Sequence, residues 1–382
     1  MNLKDIFKGY DSDYKIILDN MDVKVEAIRQ YKTGYCWLTS GLFCINLKDG
    51  YSLNNLEENV QRLIAFDKIE KVRRLVSDIK KTLLSDNDDS VFRYLLRDGI
   101  SDRGQWCMFA RLVSEHGMLR ICDCTAENVL SLLQTKELNA MINYIVRCCV
   151  AKIRGGIEEY SRDRILGILN NLGDDLERII KDYVYPADMT NLVASHFPFE
   201  EYICICCLGD RWKKHDTLYR VDIREYIGMR ENFINISPEK FKESVIHQID
   251  IEGFCWISCD SGKFCYPRIA LWDDRCLDFT YLISDNELLN VDKGGVFEHL
   301  ASSMNHAMVL TGYSKGSLND TYFKVIDGSD AFSEFKGNAN MSESWFDKFV
   351  FQAIVHKHYM SDYNNIDNYE TIELSREEFF PE

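Results

Sequence analysis

The sequence predicts an α+β chain with two lobes, and three observations carry that prediction. Apolar residues recur at three- and four-residue steps through the first part of the chain, short β-branched runs replace them from about Tyr202, and 46% hydrophobic content over 382 residues supplies one large two-lobed core. Helices first and strands later give segregated rather than alternating elements. The expected division is a mainly helical lobe over residues 1–200, a β-rich lobe over 201–360 and an extended acidic C-terminal arm over 361–382.

Each element has its own signal. Phe66, Ile69, Val72, Val76, Ile79 and Leu83 line one helical face, and the pattern ends at the acidic loop Asp86 to Asp89. Thr125 stands as a cap before the apolar-periodic run Ala126 to Val146. Arg162 to Tyr185 repeats the pattern and is closed by Pro186. The strand signals are Tyr202 to Leu208, Phe254 to Ser258, Ala307 to Tyr313, Tyr322 to Ile326 and Phe349 to His356, interrupted by a helical run from Pro238 to Gln248.

Composition excludes several function classes. Forty-five Lys and Arg against sixty-one Asp and Glu give −16, which repels a phosphate backbone. The basic pairs Arg73-Arg74, Lys80-Lys81 and Lys213-Lys214 are each diluted by nearby acids, so no nucleic-acid partner is expected. No stretch approaches the ~18 apolar residues of a membrane span. Met1 to Asn20 lacks the apolar run of a signal peptide, and a cytoplasmic setting is expected. Fourteen cysteines then read as free thiols in a reducing compartment. Cys204, Cys206 and Cys207 fall in an apolar strand, Cys148-Cys149 on an apolar helical stretch, and Cys122 and Cys124 lack a second pair at zinc-like spacing. Neither metal nor organic cofactor is expected. Thirteen cysteines read as core thiols, and one does not.

That one is Cys36. Gln30 to Trp37 ends a polar loop and enters the apolar run Leu38 to Ile45. If the run is a helix, Cys36 sits at its N-terminus, where the macrodipole and free amides favour thiolate, the competent nucleophile. By itself the segment fits a buried structural cysteine at a helix start better than a nucleophile. A nucleophile needs a base held by a third group. His306 heads the run Ala307 to Leu310, and Asp327 ends the run Phe323 to Ile326 twenty-one residues on. Asp327 followed by Gly328 also reads as a simple turn opener.

The chain resembles the bleomycin hydrolase and aminopeptidase C branch of the papain-like cysteine peptidases, over most of its length. Gln30 to Trp37 is similar to that family's Gln-x5-Cys-Trp segment, Phe66-Asp67-Lys68-Ile69-Glu70-Lys71 to its Trp-Asp-Lys-Leu-Glu-Lys helix, and Asp102-Arg103-Gly104-Gln105-Trp106 to its Asp-Gly-Gly-Gln-Trp loop. Leu138-Asn139, Cys259-Asp260-Ser261-Gly262-Lys263, His306 to Gly312 and Ser344-Trp345-Phe346-Asp347 fall in the family's order as well. The resemblance implies a papain-like two-lobed fold, with a helical left lobe carrying a helical insertion and a β-rich right lobe. It implies Cys36 as nucleophile, His306 as base, Asp327 as the third residue, and the Gln30 side chain with the Cys36 amide as oxyanion donors. It implies Gly104, Arg103, Trp37 and the terminal Glu382 at the substrate. The activity implied is hydrolysis of peptides with a free N-terminus, in a homohexamer whose sites face an inner chamber.

The chain departs from the family at three places. Ile326-Asp327-Gly328-Ser329-Asp330 stands where the family has Glu-Asn-Ser-Trp-Gly, so the tryptophan that shields the imidazole bond is missing and water is expected to weaken it. Arg103 replaces the first glycine of the substrate loop, where it narrows the cleft, recruits an acidic side chain on the substrate, or points to solvent. The C-terminal stretch is acidic and matches the family's arm in position more than in sequence. A catalytically weakened binding scaffold and a processing peptidase or acyl transferase dedicated to one substrate are the rival readings.

Overall fold

The computed structural model describes residues 26–30, 33–49, 53–84, 89–119, 135–156, 159–184, 192–193, 195–277, 291–315, 320–360 and 367–380. Helix α1 (Cys36–Asp49) is buried on every side over its first ten residues, so the apolar run that follows Cys36 is a central helix rather than a surface one. It lies between the lobes, and Ser40 Oγ donates to the Ala307 carbonyl at 3.1 Å across them.

The helical lobe continues through α2 (Leu53–Leu83), α3 (Asp89–Asp98) and α4 (Trp106–His116). A short hairpin-like pair, β1 (Met118–Leu119) with β2 (Leu192–Val193), closes the base of an insertion made of α5 (Thr135–Gly155) and α6 (Arg162–Val184). The three-to-four spacing read from the sequence forms the insertion's own core. Val72, Val76 and Ile79 of α2 meet Ile142 and Val146 of α5 and Leu169 and Leu176 of α6, all buried. The cap expected at Thr125 lies outside the described residues, and α5 runs past Val146 to Gly155. Cys148 on α5 is exposed, against the expectation that it is a core thiol, because it faces away from the buried stripe of Ile142, Val146 and Val150.

The β-rich lobe is one sheet of eleven strands. In chain order they are β3 (Tyr202–Cys206), β4 (Thr217–Ile223), β5 (Met229–Asn235), β6 (Cys255–Cys259), β7 (Cys265–Tyr266), β8 (Leu271–Trp272), β9 (His306–Lys315), β10 (Thr321–Ile326), β11 (Asn338–Ser342), β12 (Val350–His356) and β13 (Glu370–Leu374). In space the order is β13-β4-β5-β3-β12-β6-β9-β10-β11-β8-β7. The period of two sorts its side chains. Ala307 and Val309 of β9 face α1, while Met308 and Leu310 face α7 (Pro238–Glu252) and α9 (Glu343–Phe349) on the other side. Helix α7 is capped by Ser237, whose hydroxyl accepts from Lys240 N at 3.3 Å, and is stopped by Gly253 at φ 77°. The short α8 (Lys293–Glu298) packs beside β12 through Phe297 and Phe351.

Residues 370–380 of the last stretch pack on the β-rich lobe. β13 adds to the sheet edge parallel to β4, and α10 (Arg376–Phe379) follows it, capped by Ser375. Phe379 and Phe380 are buried against Phe233, at ring distances of 4.6 and 5.6 Å. Among the described residues no helix is long and apolar enough to cross a membrane.

Candidate active site

The nucleophile candidate is the first residue of α1, and it is buried. The Tyr35 carbonyl accepts from Leu38 N and Thr39 N, which starts the helix there and leaves the preceding amides for an incoming anion. Both neighbours of Cys36 are bolted down. Tyr35 Oη donates to Asp67 Oδ2 at 2.9 Å, and Trp37 Nε1 donates to the Asp102 carbonyl at 2.9 Å.

Strand pairing supplies the base. His306 opens β9 opposite Cys259, and the β9–β10 hairpin, with Ile326 opposite Val309, carries Asp327 back to it. His306 Nε2 lies 2.9 Å from Asp327 Oδ1, and the Cys36 thiol acts on the charge of the same ring. With Nε2 committed to the carboxylate, Nδ1 is the nitrogen left for the thiol. Asp327 accepts further from Ser329 N and Ser329 Oγ, each at 2.9 Å. The two readings of Asp327 are therefore both true: it opens a turn and holds the imidazole.

Charge and burial act together on this pair. Burial alone would lower the His306 pKa, but the Asp327 charge, then the thiol, hold it well above the ordinary histidine value. Burial likewise works to raise Asp327, and the imidazolium with the two Ser329 bonds keeps it below the usual carboxylate range. The expected weakening by water does not occur. Asp327 is 2% exposed without the family's tryptophan, because the strap of residues 26–30 covers it. Ala27 N donates to the Lys336 carbonyl at 3.0 Å, and Gln30 N to the Gly328 carbonyl at 2.9 Å. A Cβ on Gly328 would lie 2.1 Å from the Ile28 carbonyl oxygen, so only glycine admits the strap. Gln30 itself is buried at the end of this strap, six residues before Cys36.

The loop beside the nucleophile rests on a buried ionic network that sequence reading did not single out. Lys68 Nζ donates to Asp102 Oδ1 at 2.7 Å and to the Ser101 carbonyl at 3.0 Å. Lys71 Nζ binds Asp67 Oδ2 at 2.9 Å and the carbonyls of Ser101 and Arg103 at 2.9 and 2.6 Å. Asn139 and Thr135 of the insertion complete Asp102, and Tyr226 Oη of the β-rich lobe completes Asp67 at 2.9 Å. Burial and the nearby Lys71 lower the Lys68 pKa to about 8 against the pull of Asp67 and Asp102. Asp67 and Lys71 at i and i+4 within an otherwise apolar helix face were the available signal.

This network places the remaining residues. Gly104 abuts Trp37: a Cβ there would lie 2.3 Å from the indole, so the glycine is needed for packing whatever approaches from the groove. Trp37 is 1% exposed, which corrects its expected place at the substrate; it spaces the loop instead. Arg103 is exposed and lines a cavity between α2, the end of α3 and residues 224–225, apart from Cys36 and His306. Glu382 lies outside the described residues.

Comparison with known proteins agrees with this arrangement. The chain is 24% identical over 395 residues to "Aminopeptidase C" of Lactobacillus delbrueckii subsp. lactis, covering 94% of this chain and 86% of that one. It is 21% identical over 368 residues to "Bleomycin hydrolase" of Gallus gallus, covering 87% and 80%. The crystal structure of PepW from Lactobacillus rhamnosis superposes with a TM-score of 0.76 at 20% identity, over 97% of this chain and 90% of that one. The fold is thus the papain-like α+β fold. A family model described as "Peptidase C1-like family" matches residues 12–179 and 171–376, and it is to this family of cysteine peptidases that the chain belongs.

Proposed function

We propose that Cys36, His306, Asp327 and Gln30 are the working residues of a cysteine aminopeptidase. The observation that carries this is the buried His306–Asp327 hydrogen bond, with its raised imidazole and lowered carboxylate and the Cys36 thiol acting on the same ring. Cys36 thiolate attacks the scissile carbonyl carbon, and the carbonyl oxygen takes the negative charge between the Gln30 side-chain amide and the Cys36 N–H. The C–N bond then breaks as the His306 imidazolium protonates the leaving amine, which leaves a thioester on Cys36. Water deprotonated by His306 attacks the thioester, releasing the carboxylate product and the thiol. Asp327 positions the ring through Nε2 and stays ionised throughout.

Removal of residues from a free N-terminus is supported by the relatives named aminopeptidase C, which align over most of this chain. A cytoplasmic homohexamer follows from the same family resemblance. Labelling with a thiolate-trapping epoxide, and cleavage of peptides with free against acetylated N-termini, test the reading together. Labelling at Cys36 and loss of cleavage in Cys36→Ala are expected; cleavage that survives this substitution would sink it. Sedimentation of the purified chain tests the hexamer, and a monomer at assay concentration would remove it.

A further inference from the structure

A cavity beside the 101–104 loop, whose lining includes none of Cys36, His306, Asp327 and Gln30, has the opposite electrical character to the chain as a whole. It encloses about 450 Å³ between α2, the end of α3 and the β4–β5 turn. Seven of its sixteen lining residues are Lys or Arg and three are Asp or Glu, in a chain of formal charge −16. Several of these cations have carboxylate partners: Lys71 binds Asp67, Arg74 binds Asp78 and Arg376 binds Glu225.

Arg103 differs from them. Its guanidinium makes no ion pair among the described residues, and its side chain is exposed to the groove. The backbone around it is fixed. The carbonyls of Ser101, Asp102 and Arg103 are all taken, by Lys68 and Lys71, by Trp37, and by Lys71 respectively. With three successive carbonyls turned into the network, the Arg103 side chain is held out. Its neighbours Asp102 and Gly104 both touch Trp37, the residue after Cys36, so the cation is anchored beside the nucleophile-bearing turn. Lys81, with a side chain 72% exposed and 3.9 Å from Asp78, is a second loosely matched cation on the same wall.

We infer that Arg103 is the specificity-determining residue of a subsite for an acidic side chain, the carboxylate of a Glu or Asp of the bound peptide. A guanidinium fork matches two carboxylate oxygens and makes a charge-assisted bond about twice as strong as a neutral one. A groove with a local excess of positive charge also focuses the field that draws such a peptide to an otherwise acidic protein. An acidic side chain there would in addition screen the guanidinium from the peptide's own α-ammonium. The inference rests on the peptidase reading above for what enters the groove.

The experiment uses one peptide sequence with Glu moved through the first three positions, each peptide matched by its Gln isostere. One Glu position should exceed Gln by about tenfold in kcat/KM, carried by KM. That ratio should fall toward one in Arg103→Ala, reverse in Arg103→Glu, and shrink as salt is raised. A ratio near one in the parent, or one that survives Arg103→Ala, overturns the subsite. Melting curves confirm that both variants fold. The same peptides, fluorescently labelled, are titrated against Cys36→Ala, so that absent turnover still decides the question. Equal binding of Glu and Gln peptides overturns the subsite; Glu-selective binding without turnover in the parent keeps the subsite and removes the peptidase reading.

Discussion

Asp327 stands where the resembled family keeps an asparagine, and the exchange sets the pH behaviour of the groove. A full negative charge 2.9 Å from Nε2 holds the proton on His306, so the alkaline limb of kcat/KM should lie above the ordinary histidine range. Asp327→Asn should bring that limb down toward ordinary histidine while leaving the fold intact; an unmoved limb in the pH profile would contradict this. The same pair contributes to stability within a defined window. The His306 share is fully present below its unfolded value and is lost as pH rises through the raised folded one. The Asp327 share is present above its unfolded value and is lost as pH falls through the lowered one. The pair therefore contributes most between those limits, and denaturant midpoints of Asp327→Ala against the parent across pH measure it. Gln30→Ala should lower kcat by roughly a hundred- to a thousandfold with little change in melting temperature, the signature of a lost oxyanion donor. These residues were legible because the segments that carry them resemble the family's, in the same order along the chain. The Ser329 bonds and the strap over Asp327 were not, since they depend on which distant backbone lies against Gly328.

The long helix α2 is where element-scale reading both succeeded and fell short. Its apolar face was visible in Val72, Val76 and Ile79, which fill the insertion core. Its polar face was taken only as a family signature, whereas Asp67, Lys68 and Lys71 prove to be buried. Removing one partner of such a network leaves an uncompensated charge, so Lys71→Met should cost about 3–5 kcal/mol of stability and release the 101–104 loop. Denaturant unfolding and KM measured together check both effects. Gly104→Ala drives a methyl onto the Trp37 indole and should cost about 1–3 kcal/mol, since the packed ring has Tyr35 and Lys71 against it. Strands β4 and β5 escaped detection for a different reason. Their exposed positions carry Asp222, Arg230 and Asn232, which pair across the hairpin and dilute the β-branched signal. Two-residue strands such as β7 and β8 have no local signature at all.

At the scale of the whole molecule, the two lobes are joined by more than the groove between them. Asp67 receives a tyrosine hydroxyl from each lobe, Tyr35 and Tyr226. Residues 370–380 of the stretch read as an acidic arm pack on the β-rich lobe: Glu370, Glu373 and Glu377 lie on the outward side, while Phe379 fills the core. Phe379→Ala should cost about 3–5 kcal/mol, measured by thermal melting, where a free tail would show no change. The strap of residues 26–30 has a wider effect. One five-residue tether carries Gln30, the proposed oxyanion donor, and lies against the turn that holds His306, so neither can shift alone. Partial damage to this site is mechanically difficult. Mild heating should therefore leave a mixture of fully active and fully inactive molecules, never a uniform population of sluggish ones.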